Sequence, residues 1–322
     1  MKRRELGRSG IKVSRMGLGT ATWGLTTDRD DAAKQLQEFV GAGGDLVDTS
    51  NVYGKGASER MIGELLGAVV PRLAVVLATK SGAVPGGKPG DADTRRESLL
   101  SALDASLARL GTDYVDLWQM HVWDDRTPID ETMSAIETAV QSGRVRHAGI
   151  CNYAGWQTAL AARKRLGGGP SLVSTQVEYS LLQRGIEREV VPAATALGLR
   201  VLPWAPLGRG VLTAKYRSGV PQERAKSSFF RWYVGQHLDA PRTGEIVDAV
   251  AAAAAELDVA PVAIALAWVR DRPSVAAPVV GARTVEQLRD SLAAESVELP
   301  EEIRTRLDEV SAPCIGYPER LV

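Results

Sequence analysis

Short apolar runs alternate along the chain with longer segments in which apolar residues recur at the helical period of about 3.6 residues. Such a run is typical of a buried strand, and the helical period is typical of an amphipathic helix. The runs predict eight strands, at Arg15–Leu18, Asp45–Asp48, Ala74–Ala78, Val115–Gln119, Arg146–Ile150, Leu172–Gln176, Arg200–Pro203 and Val275–Val280. The segments between and after them predict helices at Asp30–Gly41, Ser58–Leu66, Thr94–Leu110, Ile129–Ser142, Ala154–Leu166, Glu189–Leu197, Gly244–Arg270 (as two helices) and Thr284–Ala294.

Alternation of strand and helix predicts parallel strands joined by right-handed crossovers. Eight such units predict an α/β fold, a closed (β/α)8 TIM barrel, and an open doubly wound sheet is the alternative. Arg4–Gly7 and Lys12–Ser14 flank a short polar turn and predict an N-terminal β-hairpin. Pro300–Val310 predicts an extra C-terminal helix. Because no linker or repeat interrupts the pattern, we expect one domain over residues 1–322.

The charge balance excludes one large class of function. Lys plus Arg and Asp plus Glu are both 39, so the net charge is zero and nucleic acid is not expected as a partner. Hydrophobic residues make up 44% and charged residues 24%, which is typical of globular chains rather than disordered or fibrous ones. No apolar run of about 18 residues and no secretory leader stands out, which predicts a cytoplasmic protein with no membrane partner.

Cysteine and histidine are scarce. Two cysteines, Cys151 and Cys314, exclude a disulfide framework and fit a reducing compartment. Three histidines without close spacing predict no metal site. Nothing in the pattern assigns an oligomeric state.

Four polar residues follow the ends of consecutive predicted strands, where a barrel carries its chemistry: Asp48, Tyr53, Lys80 and His121. A lysine ammonium stabilises a tyrosinate and lowers the tyrosine pKa, a carboxylate holds the lysine charged, and a histidine can hydrogen-bond a substrate oxygen. Singly, each residue has an ordinary structural explanation, such as a turn, packing or a solvated side chain. Their joint occurrence at strand ends favours a proton-transfer site.

These residues lie in motifs that resemble the aldo-keto reductase superfamily, in the branch that contains bacterial reductases and the potassium-channel β-subunit type. The similarity runs from Leu6 to about Ala294, with the motifs in the family's order. They are DTSNVYG at Asp48–Gly54, LATK at Leu77–Lys80, YVDLWQMH at Tyr114–His121, QVEYSLL at Gln176–Leu182 and WAPLGRG at Trp204–Gly210.

The resemblance implies a (β/α)8 barrel that reduces a small aldehyde or ketone with NADPH and without metal. Tyr53 would protonate the carbonyl oxygen, and Lys80, paired with Asp48, would lower its pKa. His121 would orient the carbonyl. Trp23 and Trp123 are expected beside Tyr53 and His121, where they would make the substrate pocket apolar or aromatic.

The resemblance also implies a cofactor site. Asn152 and Gln176 would hold the nicotinamide carboxamide, and Trp204 would stack on the ring. Arg283 and Arg224 would pair with a 2′-phosphate, which favours NADPH over NADH. The implied cofactor contacts are Gly19, Thr20, Asp48, Cys151, Asn152, Gln176, Trp204, Ala205, Pro206, Leu207, Gly208, Gly210, Lys215, Arg224, Gly281, Arg283, Gln287, Asp290 and Ser291.

Three positions depart from the family pattern. Cys151 replaces a common serine, which weakens one expected contact to the carboxamide. Ser291 replaces a common asparagine, which puts an adenine contact in doubt. Trp204 is usual in one branch, whereas others have tyrosine. The catalytic set is intact.

Two other functions stay open at this point. The channel-subunit branch includes cofactor-binding subunits, so a slow redox-sensing subunit is the main alternative. A metal-independent barrel isomerase or lyase is the other. The aromatic run Phe229–Tyr233, in the longest interval between strands, has no assigned role: it fits packing, a substrate pocket or an interface.

Overall fold

The structure is a computed structural model that describes residues 1–88, 90–163, 172–217, 219–220, 226, 230–314 and 316–317. The strands are β1 (Arg3–Glu5), β2 (Lys12–Ser14), β3 (Gly17–Gly19), β4 (Leu46–Asp48), β5 (Val76–Ser81), β6 (Val115–Met120), β7 (Val145–Cys151), β8 (Ser174–Glu178), β9 (Arg200–Trp204) and β10 (Val279–Gly281). The helices are α1 (Arg29–Gly41), α2 (Ala57–Leu65), α3 (Arg96–Leu110), α4 (Ile129–Gln141), α5 (Gly155–Ala162), α6 (Val190–Leu197), α7 (Gln236–Leu238), α8 (Thr243–Glu256), α9 (Pro261–Arg270), α10 (Val285–Leu292) and α11 (Glu301–Val310).

Strands β3 to β10 form one parallel sheet that curls into a barrel. Its order is β10-β3-β4-β5-β6-β7-β8-β9, and the last gap is spanned by a parallel bridge between Val201 and Val275. The backbone N–H of Val201 donates to Ser274 O over 2.9 Å, and that of Ala276 donates to Val201 O over 2.9 Å. The predicted (β/α)8 TIM barrel is therefore confirmed, with the hairpin β1–β2 and the extra helix α11, and the open-sheet alternative is wrong.

Several strand boundaries differ from the prediction, and the last barrel strand, expected at Val275–Val280, covers only Val279–Gly281. Strand β5 begins later than expected, because Arg72–Ala74 forms a single 3₁₀ turn, and it extends far enough to include Lys80. The stretch from residue 244 to 270 forms two helices, as expected, and the second begins at Pro261, whose fixed φ and missing N–H suit the first turn of α9. The predicted helix from residue 154 is described to Ala162, and its expected end at Leu166 lies outside the described residues.

Within the described residues, no single helix is long and apolar enough to cross a membrane. Thr243–Glu256 and Pro261–Arg270 meet that length and composition only when taken together, across a bend of 103°.

The barrel interior changes character along its strands. Side chains of alternate strand residues share a face, so in β6 Leu117 and Gln119 point the same way, and His121 follows on that face. Leu46 in β4 and Leu117 in β6 belong to a small buried apolar cluster, whereas the later inward positions, Asp48 and Gln119, are polar. The interior is thus apolar where the strands begin and polar where they end.

The N-terminal hairpin closes the apolar end of the barrel. Leu6 and Val13 are wholly buried in the same cluster as Leu46, Leu117 and Leu202, which come from three different barrel strands. The register Arg3↔Ser14 to Glu5↔Lys12 holds the hairpin together. Because this end is filled by side chains, a ligand can reach the interior only from the opposite end, where the strands finish.

Candidate functional site

The Lys80 ammonium is held at the polar end of the barrel by three oxygen atoms. Its Nζ lies 2.5 Å from Asp48 Oδ2, 3.0 Å from Thr49 O and 3.4 Å from the Tyr53 hydroxyl. Lys80 is wholly buried and Asp48 is almost so. An ammonium group has three hydrogens to donate, so each of these oxygens is an appropriate partner.

The Lys80–Tyr53 contact has a defined direction. Lys80 Nζ carries only donors, so the Tyr53 oxygen must accept in this hydrogen bond. The hydroxyl hydrogen of Tyr53 is therefore left to point at another acceptor. Tyr53 itself is half-buried, so its hydroxyl group borders the open end of the barrel.

The ionisation of this pair is set by burial together with the charges of the neighbouring side chains. Burial raises the pKa of Tyr53 above its ordinary value, and Lys80 only partly offsets this rise. The attraction to Lys80 lowers the Tyr53 pKa, as we expected, but desolvation of the phenolate has the larger effect, so the net shift is upward. Burial by itself lowers the pKa of Lys80, but the adjacent Asp48 carboxylate reverses this and raises the pKa above the ordinary value. At neutral pH, Lys80 is charged and Tyr53 keeps its proton.

His121 faces the same space as Tyr53. Their ring centroids are 6.0 Å apart, with the planes nearly perpendicular at 86°. Burial, with a smaller contribution from the charge of Lys80, lowers the pKa of His121 to about 3. The imidazole is therefore neutral at physiological pH. Its Nδ1 lies 3.0 Å from Ser50 Oγ, a contact that sequence analysis did not predict.

The second oxygen of Asp48 is bound by two amides. Gln176 Nε2 donates to Oδ1 over 2.9 Å, and Gln119 Nε2 donates over 3.3 Å. Ser174 Oγ in turn donates to Gln119 Oε1 over 3.3 Å. Gly149 lies between Gln119 and Ser174 in the sheet, and a Cβ there would overlap Ser174 Oγ and crowd Cγ of Gln119. The absent side chain is what lets these two groups meet.

Gln119 is a site residue that the sequence analysis missed. The signal was present, because Gln119 precedes His121 by two positions and strand side chains repeat their direction every two residues. Gln176 was predicted to contact a carboxamide; the structure shows its Nε2 engaged with Asp48.

Asn152 connects three strand ends. Its Nδ2 donates to His121 O over 2.9 Å, and its Oδ1 accepts from Trp204 Nε1 over 2.9 Å. Asn152 has a positive φ of 60°, a conformation that asparagine tolerates better than most residues. Cys151 is buried, and burial raises the pKa of its thiol well above the ordinary value. Of the residues expected at the carboxamide, Asn152 therefore lies against the backbone of His121, whereas Gln176 lies on Asp48.

The turn that follows β9 contains several residues with left-handed backbone. Gly208 and Gly210 have positive φ of 53° and 88°, as do Ala205 and Ala214 nearby. A Cβ on Gly210 would lie 2.7 Å from Lys215 Nζ, so the ammonium approaches the turn where a side chain is missing. The N–H groups of Gly208 and Gly210 already donate to Ala205 O and Leu207 O, so the Lys215 ammonium is the group that would pair with a phosphate here.

Four more predicted contacts of this region lie at or near the turn and the β3–β10 edge of the barrel. Pro206 is buried and Leu207 half-buried within the turn. Gly19 and Gly281 are paired across neighbouring strands β3 and β10. Gly281 is exposed and Gly19 is buried, so of these two glycines Gly281 is the one that a cofactor can contact.

The predicted adenosine end begins at helix α10. Thr284 caps this helix by accepting from Gln287 N, and Gln287 Oε1 accepts from the backbone N–H of Arg283 over 3.0 Å. Arg283, Gln287 and Asp290 are exposed on one rim. Ser291 is buried, and its hydroxyl donates to Gln287 O over 2.9 Å, so it has no surface for an adenine ring here. The predicted Arg224 and Phe229 lie outside the described residues.

Two residues near Asp48 are more enclosed than expected. Thr20 is wholly buried, and its hydroxyl donates to Asp48 O over 3.0 Å. Trp23 is also wholly buried, and its Nε1 donates to Gln35 Oε1 over 3.1 Å. Trp23 therefore offers no surface to a substrate, because it lies in the loop that follows β3 with its side chain buried against Gln35 of helix α1. The other predicted pocket residue, Trp123, is half-buried.

Trp123 belongs to an aromatic cluster that the sequence analysis did not identify. Its ring centroid lies 5.2 Å from Tyr153 and 5.4 Å from Trp156, both nearly edge-on. Trp156 stands at the start of α5 and is 59% exposed. Both tryptophans come from segments that follow neighbouring strands, β6 and β7, so the cluster borders the open end of the barrel. We call Trp123, Tyr153 and Trp156 the aromatic ledge.

Glu178, at the end of β8, forms polar contacts with the segment that follows β9. Its carboxylate accepts from Arg209 Nη2 over 3.2 Å and lies 3.0 Å from His237 Nε2. Arg209 also donates to Tyr233 O over 2.6 Å and covers the Tyr233 ring at 4.3 Å. Tyr233, at the end of the predicted aromatic run, is therefore packed against the turn that follows β9.

Comparison with known proteins agrees with this geometry. Residues 15–312 match the sequence profile of the Aldo/keto reductase family. The chain is 39% identical to an uncharacterized oxidoreductase, YrpG, of Bacillus subtilis (strain 168) over 320 residues, which is 95% of this chain and 94% of that protein.

Two fungal relatives carry more specific names. The chain is 31% identical to norsolorinic acid reductase stcV of Emericella nidulans over 325 residues, which is 96% of this chain and 81% of that protein. It is 29% identical to a putative aryl-alcohol dehydrogenase, AAD14, of Saccharomyces cerevisiae over 341 residues, which is 99% of this chain and 90% of that protein.

The packing at Gly149 is testable by Gly149→Ala. The added methyl group must displace Ser174 and Gln119, so we expect a loss of about 2 kcal/mol in the free energy of unfolding. The variant should also weaken the hydrogen bond from Gln119 Nε2 to Asp48 Oδ1. Urea unfolding measures the first effect, and heteronuclear NMR of the Gln119 side-chain amide measures the second.

Gly41→Ala is the matched control. Gly41 ends helix α1 with nothing within 4 Å of an added Cβ, so this variant should be neutral or slightly stabilised. Equal stability of the two variants would contradict the close approach at Gly149.

Proposed function

We propose that this chain, which belongs to the aldo/keto reductase family, reduces a small aldehyde or ketone to the alcohol with NADPH, and that Tyr53 donates the proton. The family and the oxidoreductase relatives support carbonyl reduction with a nicotinamide cofactor. The observation that carries the role of Tyr53 is the hydrogen bond in which its oxygen accepts from Lys80 Nζ.

The hydrogen bond from Lys80 prepares Tyr53 to act as an acid. The Tyr53 hydroxyl hydrogen is left to donate to a carbonyl oxygen in the open end of the barrel. As the carbonyl carbon receives hydride, its oxygen takes this proton, and the O–H bond of Tyr53 breaks. The phenolate that forms lies beside the Lys80 ammonium, which stabilises it, and it later regains a proton from solvent. A raised pKa of Tyr53 keeps this proton in place until the substrate arrives.

Asp48 acts through Lys80. Its carboxylate keeps the ammonium charged despite complete burial, since an unpaired ammonium in that position would lose its proton. His121, neutral and fixed beside Tyr53, is placed to hydrogen-bond the same carbonyl oxygen. General acid catalysis of this kind contributes about 10² to 10⁴-fold to the rate.

The remaining predicted contacts fit a nicotinamide dinucleotide. When bound, the reduced cofactor supplies the hydride. Trp204 would face the nicotinamide ring, and Asn152 with Gln176 would lie beside its carboxamide. Lys215, beside the glycine-rich turn, would hold the phosphates. The exposed guanidinium of Arg283, on the rim that carries Gln287 and Asp290, would bind the 2′-phosphate.

The substrate is proposed to be apolar or aromatic around its carbonyl group. Large exposed apolar side chains follow four of the barrel strands at their open ends: Leu25 after β3, Val84 after β5, Trp156 after β7 and Trp232 after β9. A rim of this kind favours a ligand with apolar surface. The name of the aryl-alcohol dehydrogenase relative points to the same chemistry.

Tyr53→Phe tests the proton donor. We expect the variant to bind NADPH as tightly as the native protein and to lose about 100-fold or more of the turnover rate, since the ring stays and the acid is lost. Nicotinamide absorbance with a panel of aldehydes and ketones measures turnover, and protein fluorescence measures binding.

Tyr179→Phe is the matched control, because Tyr179 is buried elsewhere with its hydroxyl on Glu187, and it should keep the native rate. A Tyr53→Phe variant that kept most of its rate would exclude Tyr53 as the donor. Native protein that retained NADPH through a single turnover would favour the redox-sensing alternative.

Arg283→Ala tests cofactor choice. Loss of a charge-assisted contact to a 2′-phosphate should raise the dissociation constant for NADPH about tenfold and leave that for NADH nearly unchanged. Arg289→Ala, which removes another exposed arginine of the same segment that pairs with Glu38, is the control. Equal changes for the two cofactors would contradict the role.

Trp156→Ala tests the aromatic ledge. We expect KM for an aryl aldehyde to rise about fivefold, with little change for a short aliphatic aldehyde, because only the former gains aromatic contact. Leu73→Ala, an exposed apolar residue that precedes β5 at the other end of the barrel, should change neither. A common change in both KM values would assign Trp156 to structure rather than to substrate.

A further inference from the structure

Ser50 is a buried hydroxyl whose position brings it against the imidazole of His121. It lies between Asp48 and Tyr53 in the chain and is wholly buried. Its Oγ is 3.0 Å from His121 Nδ1, and 3.4 Å from both Lys80 O and Asn51 Oδ1. A hydroxyl has one hydrogen, so it donates to only one of these three acceptors.

Two arrangements of the hydrogens are compatible with the short contact. In the first, Ser50 donates to a bare Nδ1, and the neutral ring carries its hydrogen on Nε2. In the second, Nδ1–H donates to Ser50 Oγ, and Nε2 is bare. The two differ in what the ring presents at Nε2: a donor in the first and an acceptor in the second.

The contacts around Ser50 favour the first arrangement. Lys80 O already accepts from the backbone N–H of Asn51 over 3.2 Å, so it does not need the Ser50 hydrogen. Ser50 Oγ already lies 3.4 Å from the backbone N–H of Val52, which donates to it. If His121 Nδ1–H also donated to Ser50 Oγ, the Ser50 hydrogen could go only to Lys80 O or Asn51 Oδ1, both 3.4 Å away. The shortest contact of the Ser50 hydroxyl is with His121 Nδ1, and a bare Nδ1 is an acceptor that needs a donor.

We propose that Ser50 is a positioning residue that donates its hydroxyl hydrogen to His121 Nδ1 and thereby holds the imidazole in the tautomer that carries its hydrogen on Nε2. The role that follows rests on the proposed carbonyl reduction. An Nε2–H group donates to the substrate oxygen beside Tyr53, whereas a bare Nε2 would set a lone pair against the lone pairs of the carbonyl.

The rest of His121 is fixed independently of Ser50. Its backbone N–H donates to Ser81 O over 2.8 Å, and its carbonyl accepts from Asn152 Nδ2 over 2.9 Å. Removing the Ser50 hydroxyl therefore leaves the residue in place and frees the choice of tautomer. Lys80 is the charged group that acts on the ring, and together with burial it keeps the ring neutral, so tautomer rather than charge is the variable.

The tautomer can be measured directly in the native protein. The chain contains three histidines, at 121, 147 and 237, so a ¹H–¹⁵N correlation through the ring carbons gives few signals. His147→Gln and His237→Gln assign the signals by elimination. At neutral pH we expect the nitrogen shifts of His121 to show a protonated Nε2 and a bare Nδ1. A protonated Nδ1 with a bare Nε2 would overturn the proposal without any variant at Ser50.

Ser50→Ala tests the cause. We expect His121 to lose its single tautomer and kcat for carbonyl reduction to fall about tenfold, with a smaller change in KM, since one orienting hydrogen bond is lost. Ser50→Thr keeps the hydroxyl and should restore both the tautomer and most of kcat. Ser106→Ala removes an equally buried hydroxyl on α3, outside the site, and should leave the tautomer as in the native protein.

The outcomes separate this proposal from the function on which it rests. An Nε2–H tautomer that persists in Ser50→Ala, with kcat unchanged, would overturn the role of Ser50 even if carbonyl reduction is active. Native protein that reduces no carbonyl would instead contradict the proposed function, and the NMR comparison would still decide whether Ser50 sets the tautomer.

Discussion

The site depends on one buried ion pair, Lys80 with Asp48. A charge removed from water costs several kcal/mol unless it is paired and fully hydrogen-bonded, so each group needs defined partners. Lys80 therefore uses its three hydrogens on Asp48, Thr49 O and Tyr53, and Asp48 uses its other oxygen on two glutamine amides. The polar side chains that surround the pair are the partners that two buried charges need inside a barrel.

This requirement explains features that lie well beyond the pair itself. Gly149 is small because Gln119 and Ser174 must meet across it. The apolar half of the interior and the hairpin residues Leu6 and Val13 exclude water from the opposite end. The same desolvation that makes the pair costly raises the pKa of Tyr53 and lowers that of His121, so both groups are uncharged at neutral pH. An uncharged donor beside a fixed cation is the arrangement on which the proposed carbonyl reduction relies.

The order and type of the elements were predictable because they follow from local pattern. Strand-end residues were predictable for the same reason, since parallel strands bring their ends to one side. Predictions failed where the outcome depended on neighbours from other strands. Trp23 was expected in the pocket but is packed against Gln35, and Ser50 and Gln119 were overlooked although they contact His121 and Asp48. The lowering of the Tyr53 pKa by Lys80 was predictable, but the larger effect of burial was not, because burial cannot be read from the Lys80–Tyr53 spacing alone.

By itself the sequence determined the (β/α)8 alternation, the strand that carries each of Asp48, Lys80 and His121, and the family motifs, because these depend on residues close together in the chain. Only the tertiary structure decided which hydrogens meet which oxygens, how deeply each group is buried, and that an aromatic ledge borders the open end. Those properties arise from atoms that are distant in sequence and are brought within a few ångströms by the closure of the barrel, and hydrogen bonding and desolvation depend on that distance.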